Sequence, residues 1–349
     1  MIETKKIRVL VVDDSMVARS MIIQGLSVHP RIEVVGHAIN TLDAKQKITK
    51  LQPDVVTMDV EMPGQNGIDF LKSYIPTHPI PVVLVSSLNL KVFDALAAGA
   101  VDFVRKPDVP ENRAGFITAL TQKVLMASTA KVRPAAAKAP ASGAPNLPIN
   151  SLGPSKVLDR MVIGLGASTG GTEATLEVMK RLPADIPPML IVQHMPPGFT
   201  AMYADRLNRL CRMEVREAKN GDELRRGLAL VAPADLQARV VRIGSKYTVS
   251  CTPGEKVSGH RPSVDVMFQS MSEVVQDKMV GIILTGMGQD GAAGLLAMRK
   301  KGAYTIGQDK ESSVVYGMPM VAKDIGAVCI QASCENVSNV LLRHLKTLG

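Results

Sequence analysis

The residues of most chemical interest follow three apolar runs in the second half of the chain. Ser168 lies among glycines in "MVIGLGASTGGTEA", His194 ends "PMLIVQH", and Asp290 follows "VGIILTGMGQD". A serine hydroxyl becomes a nucleophile when a histidine removes its proton and a carboxylate orients that histidine. If the three runs are strands of one sheet, the three side chains fall on the same sheet edge. The pattern therefore predicts a Ser-His-Asp catalytic triad.

The glycine-rich turn around Ser168 also suggests a phosphate-binding loop, and two such motifs fail on chemistry. A dinucleotide site needs G-x-G-x-x-G, and Thr169 occupies the third glycine position after Gly164 and Gly166. A P-loop needs a lysine after its last glycine, and this turn continues with Thr172 instead. "GASTG" fits the G-x-S-x-G elbow, in which small neighbours expose a serine at a strand-to-helix turn. The chain order Ser, His, Asp differs from that of α/β-hydrolases, so we expect a different fold.

Two further histidines lie in the second half of the chain. His260 belongs to the loop "SGHRPSVD" and is a candidate for contact with a substrate. His344 lies in the last helical pattern, where a surface position is expected. His194 ends an apolar strand pattern on the same predicted sheet edge as Ser168, so His194 is the predicted base.

Polar side chains also follow the apolar runs in the first part of the chain. They are Asp13 and Asp14 after the first run, Asp59 after the third, Ser86 after the fourth and Lys106 after the fifth. Open parallel sheets bind ligands outside the carboxyl ends of their strands. Grouped carboxylates suit Mg²⁺, a carboxylate can accept a phosphoryl group, and a lysine neutralises the transferring oxygens. This pattern predicts a magnesium-dependent phosphoryl site.

The elements that must position these side chains are strands that alternate with helices. In the first part, "IRVLVV", "IEVVGHA", "DVVTMD", "PVVLVSS" and "VDFVRKP" are predicted strands. Five such β/α units predict a doubly wound parallel sheet. In the second part, "MVIGLG", "PMLIVQH", "GLALVA", "MVGIILTG" and "AYTIGQD" are predicted strands, and "ARVVRIGSKYTVSCT" is a predicted antiparallel hairpin. The second domain is therefore predicted to be α/β with a mostly parallel sheet.

A segment without apolar periodicity divides the two parts. Residues 128–157 are rich in Ala, Pro, Ser and Gly. Such a composition cannot bury enough apolar surface to offset the entropy lost on ordering, so a semi-extended linker is expected. The predicted domains are then residues 1–127 and residues 158–349.

Composition narrows the range of partners and locations. The net charge is +9, and aromatic residues make up 3% with no Trp. The positive charge is spread over the linker and the second half, few aromatics are available for base stacking, and no helix-turn-helix pattern is present. We therefore expect no nucleic-acid partner. No segment reaches the roughly 18 apolar residues of a membrane span, so a cytoplasmic protein without membrane insertion is expected.

The motifs of the first part resemble the receiver domain of two-component response regulators. The stretches that carry the resemblance are "VVDDSMVARS", "DVVTMDVEMPGQNGIDFL", "VLVSS" and "GAVDFVRKP". A departure is the short stretch after "VLVSS", which predicts a short fourth helix. The resemblance implies phosphorylation by a histidine kinase at Asp59, Mg²⁺ held by Asp13, Asp14 and Asp59, phosphoryl contacts from Ser86 and Lys106, and an aromatic switch at Phe103.

The motifs of the second part resemble the catalytic domain of the CheB family, the chemotaxis protein-glutamate methylesterases. They are "GASTGGTEA", "QHMPPGFT", "GHRPSVDVMF" and "ILTGMGQDGAAG". With the receiver motifs in front, the resemblance covers essentially the whole chain. It implies Ser168 as nucleophile, His194 as base and Asp290 as its orienter, with backbone N–H groups of Met287 and Thr169 as oxyanion donors.

The resemblance also implies a function and its partners. The expected reaction is hydrolysis of glutamate methyl esters, with deamidation of glutamines, on methyl-accepting chemoreceptors in chemotaxis adaptation. Phosphorylation of the receiver is expected to regulate it, Mg²⁺ is needed for that phosphorylation, and the esterase reaction itself needs no cofactor. Two competing hypotheses are a response regulator whose output domain binds DNA and a binding module with an inert serine.

Overall fold

The chain forms two compact units. The computed structural model describes residues 5–62, 67–87, 91–107, 109–132 and 151–348. The boundary between the units falls between residues 140 and 141. Most of the predicted linker, residues 128–157, lies outside the described residues. The domain limits given above therefore stay predictions.

The first unit is a five-stranded parallel sheet in the order β2-β1-β3-β4-β5, as the doubly wound prediction requires. Its β3 and β4 are buried along their whole length, because helices cover both faces of such a sheet. The strands are β1 (Ile7–Val12), β2 (Ile32–Ala38), β3 (Val55–Asp59), β4 (Val82–Ser86) and β5 (Asp102–Arg105). The helices are α1 (Met16–Ser27), α2 (Thr41–Leu51), α3 (Gly67–Tyr74), the seven-residue α4 (Lys91–Ala97) and α5 (Arg113–Ala127).

The second unit is built on a seven-stranded sheet in the order β14-β13-β12-β6-β7-β9-β8. Every pairing in this sheet is parallel. Its strands are β6 (Val162–Ala167), β7 (Met189–Gln193), β8 (Glu214–Glu217), β9 (Leu228–Val231), β12 (Met279–Ile283), β13 (Tyr304–Gln308) and β14 (Ile330–Ala332). Its helices are α6 (Lys156–Arg160), α7 (Gly171–Met179), α8 (Phe199–Leu210), α9 (Val264–Val274), α10 (Ala292–Lys300), α11 (Met318–Asp324) and α12 (Cys334–Lys346).

The predicted hairpin is present and stands apart from the large sheet. Strand β10 (Gln237–Ile243) pairs antiparallel with β11 (Lys246–Thr252). The turn contains Gly244 with φ +61°, a conformation that suits glycine. The predicted fold class, a doubly wound receiver domain followed by an α/β domain with a hairpin, is thus confirmed.

The sequence patterns missed the edge strands of the second sheet and helices α6, α9 and α11, and α6 begins within the predicted linker. The edge strands β8 and β14 have only four and three residues, and β8, "EVRE", has almost no apolar content. Edge strands are commonly short and charged, since this discourages pairing with other chains.

Among the described residues, no helix is both long enough and apolar enough to cross a membrane.

Glycines in β6 allow α9 to pack closely against the centre of the sheet. A Cβ atom added at Gly166 would lie 2.2 Å from Cγ1 of Val264, the first residue of α9. A Cβ atom added at Gly164 would lie 2.7 Å from Sδ of Met271, two turns further along the helix. Strand β6 therefore holds α9 at a separation that any larger residue would increase.

We predict that Gly166→Ala lowers the free energy of unfolding of the second unit by about 1–3 kcal/mol, the usual cost of overpacking a core. Chemical denaturation followed by circular dichroism measures this change. The matched variant Gly166→Ala/Val264→Ala removes the clash, so its loss should be smaller than the sum of the two single losses. Additive losses would show that α9 does not press on β6.

Candidate active site

The sheet order places the three predicted triad residues at the ends of adjacent strands. Strands β12, β6 and β7 are neighbours, and Ser168 and His194 directly follow β6 and β7. The backbone N–H of His194 donates to the carbonyl of Ala167 at 3.1 Å, and that of Ser168 donates to Thr285 beyond β12 at 3.0 Å. Asp290 lies in the loop between β12 and α10. The serine and histidine backbones are therefore side by side at one edge of the sheet.

The histidine and the aspartate are in direct contact. Nε2 of His194 lies 2.8 Å from Oδ2 of Asp290, and both side chains are buried. Nδ1 of His194 is also buried, and it has no hydrogen-bond partner among the described residues. The Ser168 hydroxyl thus makes no hydrogen bond to this ring. The structure forms the His-Asp pair and leaves the other ring nitrogen able to accept a proton.

Asp290 is held by the beginning of α9. Its Oδ1 accepts from the Ser263 hydroxyl at 2.6 Å and from the backbone N–H of Asp265 at 3.0 Å. Its Oδ2 accepts from the backbone N–H of Val264 at 2.8 Å, in addition to His194. The positive end of a helix dipole favours an anion at this place. The carboxylate is therefore fully hydrogen-bonded although it is buried.

These contacts determine the charge of Asp290. Burial by itself would raise the pKa of this carboxyl, but the hydrogen bonds from His194 and Ser263 and the interaction with the imidazole outweigh it. The pKa of Asp290 consequently lies below its ordinary value of 3.8. Asp290 is therefore ionised at neutral pH and able to stabilise an imidazolium.

The two predicted oxyanion donors lie on segments that pass beside Ser168. A Cβ atom added at Gly286 would lie 2.7 Å from Cβ of Ser168, so the chain leading into Met287 passes directly beside Ser168. The backbone N–H of Met287 donates to no other described residue. Thr169 follows the serine, and its carbonyl accepts from the Thr285 hydroxyl at 3.0 Å. These contacts fix both segments at the sheet edge.

Sequence reasoning missed two residues that brace the site. Gln193 is buried and its Nε2 donates to the carbonyls of Ser168, at 2.8 Å, and His194, at 3.2 Å. The signal was a lone amide at the end of the apolar strand "MLIVQ". Ser263 is the N-cap of α9. Its signal was a serine followed by apolar residues at helical spacing.

The two histidines outside the predicted triad have different surroundings. The ring of His260 stacks on His194, with centroids 3.7 Å apart and planes inclined by 7°. The ring of His344, on α12, stacks on Tyr304 with centroids 4.0 Å apart. His260 therefore belongs to the immediate surroundings of the candidate site.

The predicted phosphoryl site of the first unit also forms a compact cluster. One carboxylate oxygen from each of Asp13, Asp14 and Asp59 lies within 4.8 Å of the others. Nζ of Lys106 lies 2.6 Å from Oδ2 of Asp59 and 3.1 Å from Oδ2 of Asp13. The Ser86 hydroxyl is buried without a hydrogen-bond partner among the described residues.

The charges of this cluster fit a divalent cation. Oδ2 of Asp13 is buried without a hydrogen bond in the described structure, although the Lys106 ammonium is near. Burial is the main reason that the pKa of Asp59 is raised above its ordinary value, since the contacts with Lys106 and the Glu61 N–H offset it incompletely. Oxygen donors with excess negative charge are what Mg²⁺ binds.

Phe103, on β5, is buried and packs edge-on against Phe93, with ring centroids 6.5 Å apart.

Comparison with known proteins identifies the family. Residues 163–341 match the CheB methylesterase family, and residues 9–114 match the response regulator receiver domain. The chain belongs to the CheB methylesterase family. A relative from Syntrophomonas wolfei, protein-glutamate methylesterase/protein-glutamine glutaminase 2, is 47% identical over 346 residues, 99% of each chain. The relative of the same name from Syntrophotalea carbinolica, without the numeral, is 46% identical over 340 residues, 96% of each chain.

A solved structure is also similar to part of this chain. The crystal structure of the Thermotoga maritima CheB methylesterase catalytic domain is 32% identical, with a TM-score of 0.51. The match covers 52% of this chain and 97% of the chain in that crystal structure. This CheB-family chain is therefore an enzyme of the methylesterase class, and its receiver domain precedes the methylesterase domain.

The hydrogen bond from Ser263 leads to a prediction about stability and pH. We expect Ser263→Ala to lower the free energy of unfolding by about 0.5–2 kcal/mol near neutral pH, because an N-cap and a donor to Asp290 are both lost. A carboxylate whose pKa is lower in the folded state than in the unfolded state contributes its full stabilisation when the pH is above the unfolded-state pKa. This stabilisation is lost as the pH falls through the folded-state pKa. The loss caused by Ser263→Ala should therefore shrink as the pH falls below 3.8.

Chemical denaturation at a series of pH values measures this effect. Ser272→Ala is the matched control, since its hydroxyl donates to the Gln269 carbonyl in the same helix at 2.7 Å. Its cost should not change with pH. A pH-independent cost for Ser263→Ala would contradict the stabilisation of ionised Asp290 by this serine.

Proposed function

We propose that the chain hydrolyses glutamate methyl esters, and deamidates glutamines, on the cytoplasmic helices of methyl-accepting chemoreceptors during chemotaxis adaptation. The names of its relatives support the substrate class, since both are protein-glutamate methylesterases/protein-glutamine glutaminases. The contact between His194 and Asp290, on the sheet edge that also carries Ser168, is the observation on which the mechanism depends. Ser168, His194 and Asp290 are the proposed triad.

In the proposed reaction, Nδ1 of His194 takes the proton of the Ser168 hydroxyl while its oxygen attacks the ester carbonyl. Catalytic hydrogen bonds are often long in a free enzyme and tighten when the substrate binds. The tetrahedral oxyanion receives hydrogen bonds from the backbone N–H groups of Met287 and Thr169. The C–O bond to the methoxy group then breaks, and His194 returns the proton so that methanol leaves.

The second half of the reaction reverses these roles. His194 removes a proton from water, the resulting hydroxide attacks the acyl-serine, and the bond to Ser168 breaks with return of the proton to its oxygen. The products are the glutamate side chain, released as a carboxylic acid that then ionises, and free enzyme. With a glutamine, ammonia leaves in place of methanol. Asp290 stays ionised throughout and stabilises each imidazolium.

We predict that Ser168→Ala lowers the rate of methanol release from methylated receptor membranes by at least about 10⁴-fold, as the loss of a triad nucleophile does. The variant should unfold at the wild-type temperature. The matched control is Ser151→Ala, a surface serine whose hydroxyl contacts Asp185, and it should keep the wild-type rate. An active Ser168→Ala enzyme would exclude the proposed nucleophile.

We further propose that a histidine kinase phosphorylates Asp59 and that this regulates the esterase. Asp13, Asp14 and Asp59 would hold Mg²⁺, which neutralises charge on the transferring phosphoryl group. Lys106 and Ser86 would contact phosphoryl oxygens. The buried Ser86 hydroxyl, which has no hydrogen-bond partner in the part of the chain that the structure describes, supports that role. Phosphorylation would change the packing of both Ser86 and Phe103. Without phosphorylation, the receiver would hold the esterase in a less active state.

This regulation predicts a response to a small phosphodonor. Acetyl phosphate with Mg²⁺ should raise the rate of methanol release by about 5–150-fold, the usual range of such coupling. Asp59→Asn should abolish the response and keep the basal rate, while Asp94→Asn, a carboxylate on α4, should respond like the wild type. A rate that acetyl phosphate does not alter would contradict regulation through Asp59.

A further inference from the structure

A second histidine covers one face of the proposed catalytic base. The rings of His194 and His260 are 3.7 Å apart and inclined by only 7°. Among the described residues, the imidazole of His194 makes one hydrogen bond, between Nε2 and Asp290, and this fixes one direction in the ring plane. The ring can still turn about its Cβ–Cγ bond when this hydrogen bond bends, and such a rotation would move Nδ1. A parallel ring in van der Waals contact blocks this rotation on one side.

The backbone around His260 is itself tightly constrained. Val257 and His260 exchange two backbone hydrogen bonds, of 3.0 and 2.9 Å. The residues between them, Ser258 and Gly259, have φ values of +52° and +81°. Positive φ at both central positions is the signature of a type I′ turn, the tight turn that matches strand twist. His260 therefore stands at the end of a short, closed hairpin.

This hairpin is joined to the residues that hold Asp290. The side-chain amide of Gln237 donates to the carbonyl of His260 at 3.4 Å, and its Oε1 accepts from the backbone N–H of Ser263 at 2.9 Å. The Ser263 hydroxyl in turn donates to Asp290 at 2.6 Å. One loop, residues 257–263, thus contacts the imidazole through His260 and the aspartate through Ser263.

We propose that His260 is a positioning residue of the esterase, whose stacked ring holds the plane of His194 so that Nδ1 stays directed at the serine. The proposal rests on the proposed function, because it assigns His194 as the base. It differs from the sequence-based expectation that His260 contacts the substrate. The planar ring at this position is the property on which this role depends.

The proposal separates three substitutions of His260. His260→Phe keeps a flat ring, His260→Leu keeps apolar volume without a ring, and His260→Ala removes both. Misplacing a catalytic group by about 1 Å can cost about 10²-fold in rate. We expect kcat to fall by about 10–100-fold in the Ala and Leu variants, with KM changed less than about twofold. The Phe variant should stay within about threefold of wild-type kcat, because its ring still stacks.

Proton nuclear magnetic resonance of the His194 ring tests the same claim without requiring turnover. A stacked ring shifts the signals of its neighbour upfield, so the carbon-bound ring protons of His194 should move downfield in the Ala and Leu variants. In the Phe variant they should stay upfield. Thermal unfolding of each variant shows whether the fold is retained.

The outcomes distinguish this inference from the function on which it rests. If wild-type enzyme releases no methanol, or Ser168→Ala does, the proposed function fails while the ring signals still report the position of His194. If methanol release depends on Ser168 but the Ala and Leu variants keep wild-type kcat, the positioning role of His260 is wrong. It is also wrong if His260→Phe is as slow as His260→Ala, or if KM rises with kcat unchanged, since both indicate a polar contact with substrate.

Discussion

The candidate active site depends on one buried carboxylate. Asp290 is removed from water, which opposes its ionisation, and four hydrogen-bond donors reverse that effect. Three of these donors come from the N-cap and the first two residues of α9, so the positive end of the helix dipole lies at the carboxylate. The fourth is His194. Since an unpaired buried charge would strongly destabilise the fold, the same contacts that stabilise α9 also fix the imidazole.

Close approach of α9 to the sheet is what makes these contacts possible. The helix packs on β6 only because Gly164 and Gly166 carry no side chain. That places the first turn of α9 beside the loop that follows β12. The nucleophile turn follows the same glycine-containing strand. Core packing and the geometry of the site are therefore determined together, and a residue that pushes α9 outward also displaces the acceptor of the histidine proton.

The two units use buried aspartates at strand ends for opposite purposes. In the second unit, Asp290 has enough donors to keep its pKa below the ordinary value. In the first unit, Asp59 has fewer, and burial with the nearby Asp13 keeps its pKa above the ordinary value. A fully hydrogen-bonded carboxylate suits the constant orientation of a base. An incompletely neutralised one suits a site that gains a cation and a phosphoryl group, as proposed for Asp59.

The amino-acid sequence is enough to predict the two-domain α/β architecture, the central strands and the residues at their carboxyl ends. Buried parallel strands are recognisable as continuous apolar runs. The polar residues at the ends of these runs, such as Asp59 and His194, are therefore easy to identify. The surroundings of these residues are visible only in the folded chain. The short edge strands, the place of α9, the donors to Asp290 and the stacking of His260 depend on contacts between distant segments. Local periodicity carries no information about such contacts, because a loop such as residues 257–263 is defined by the surfaces on which it packs.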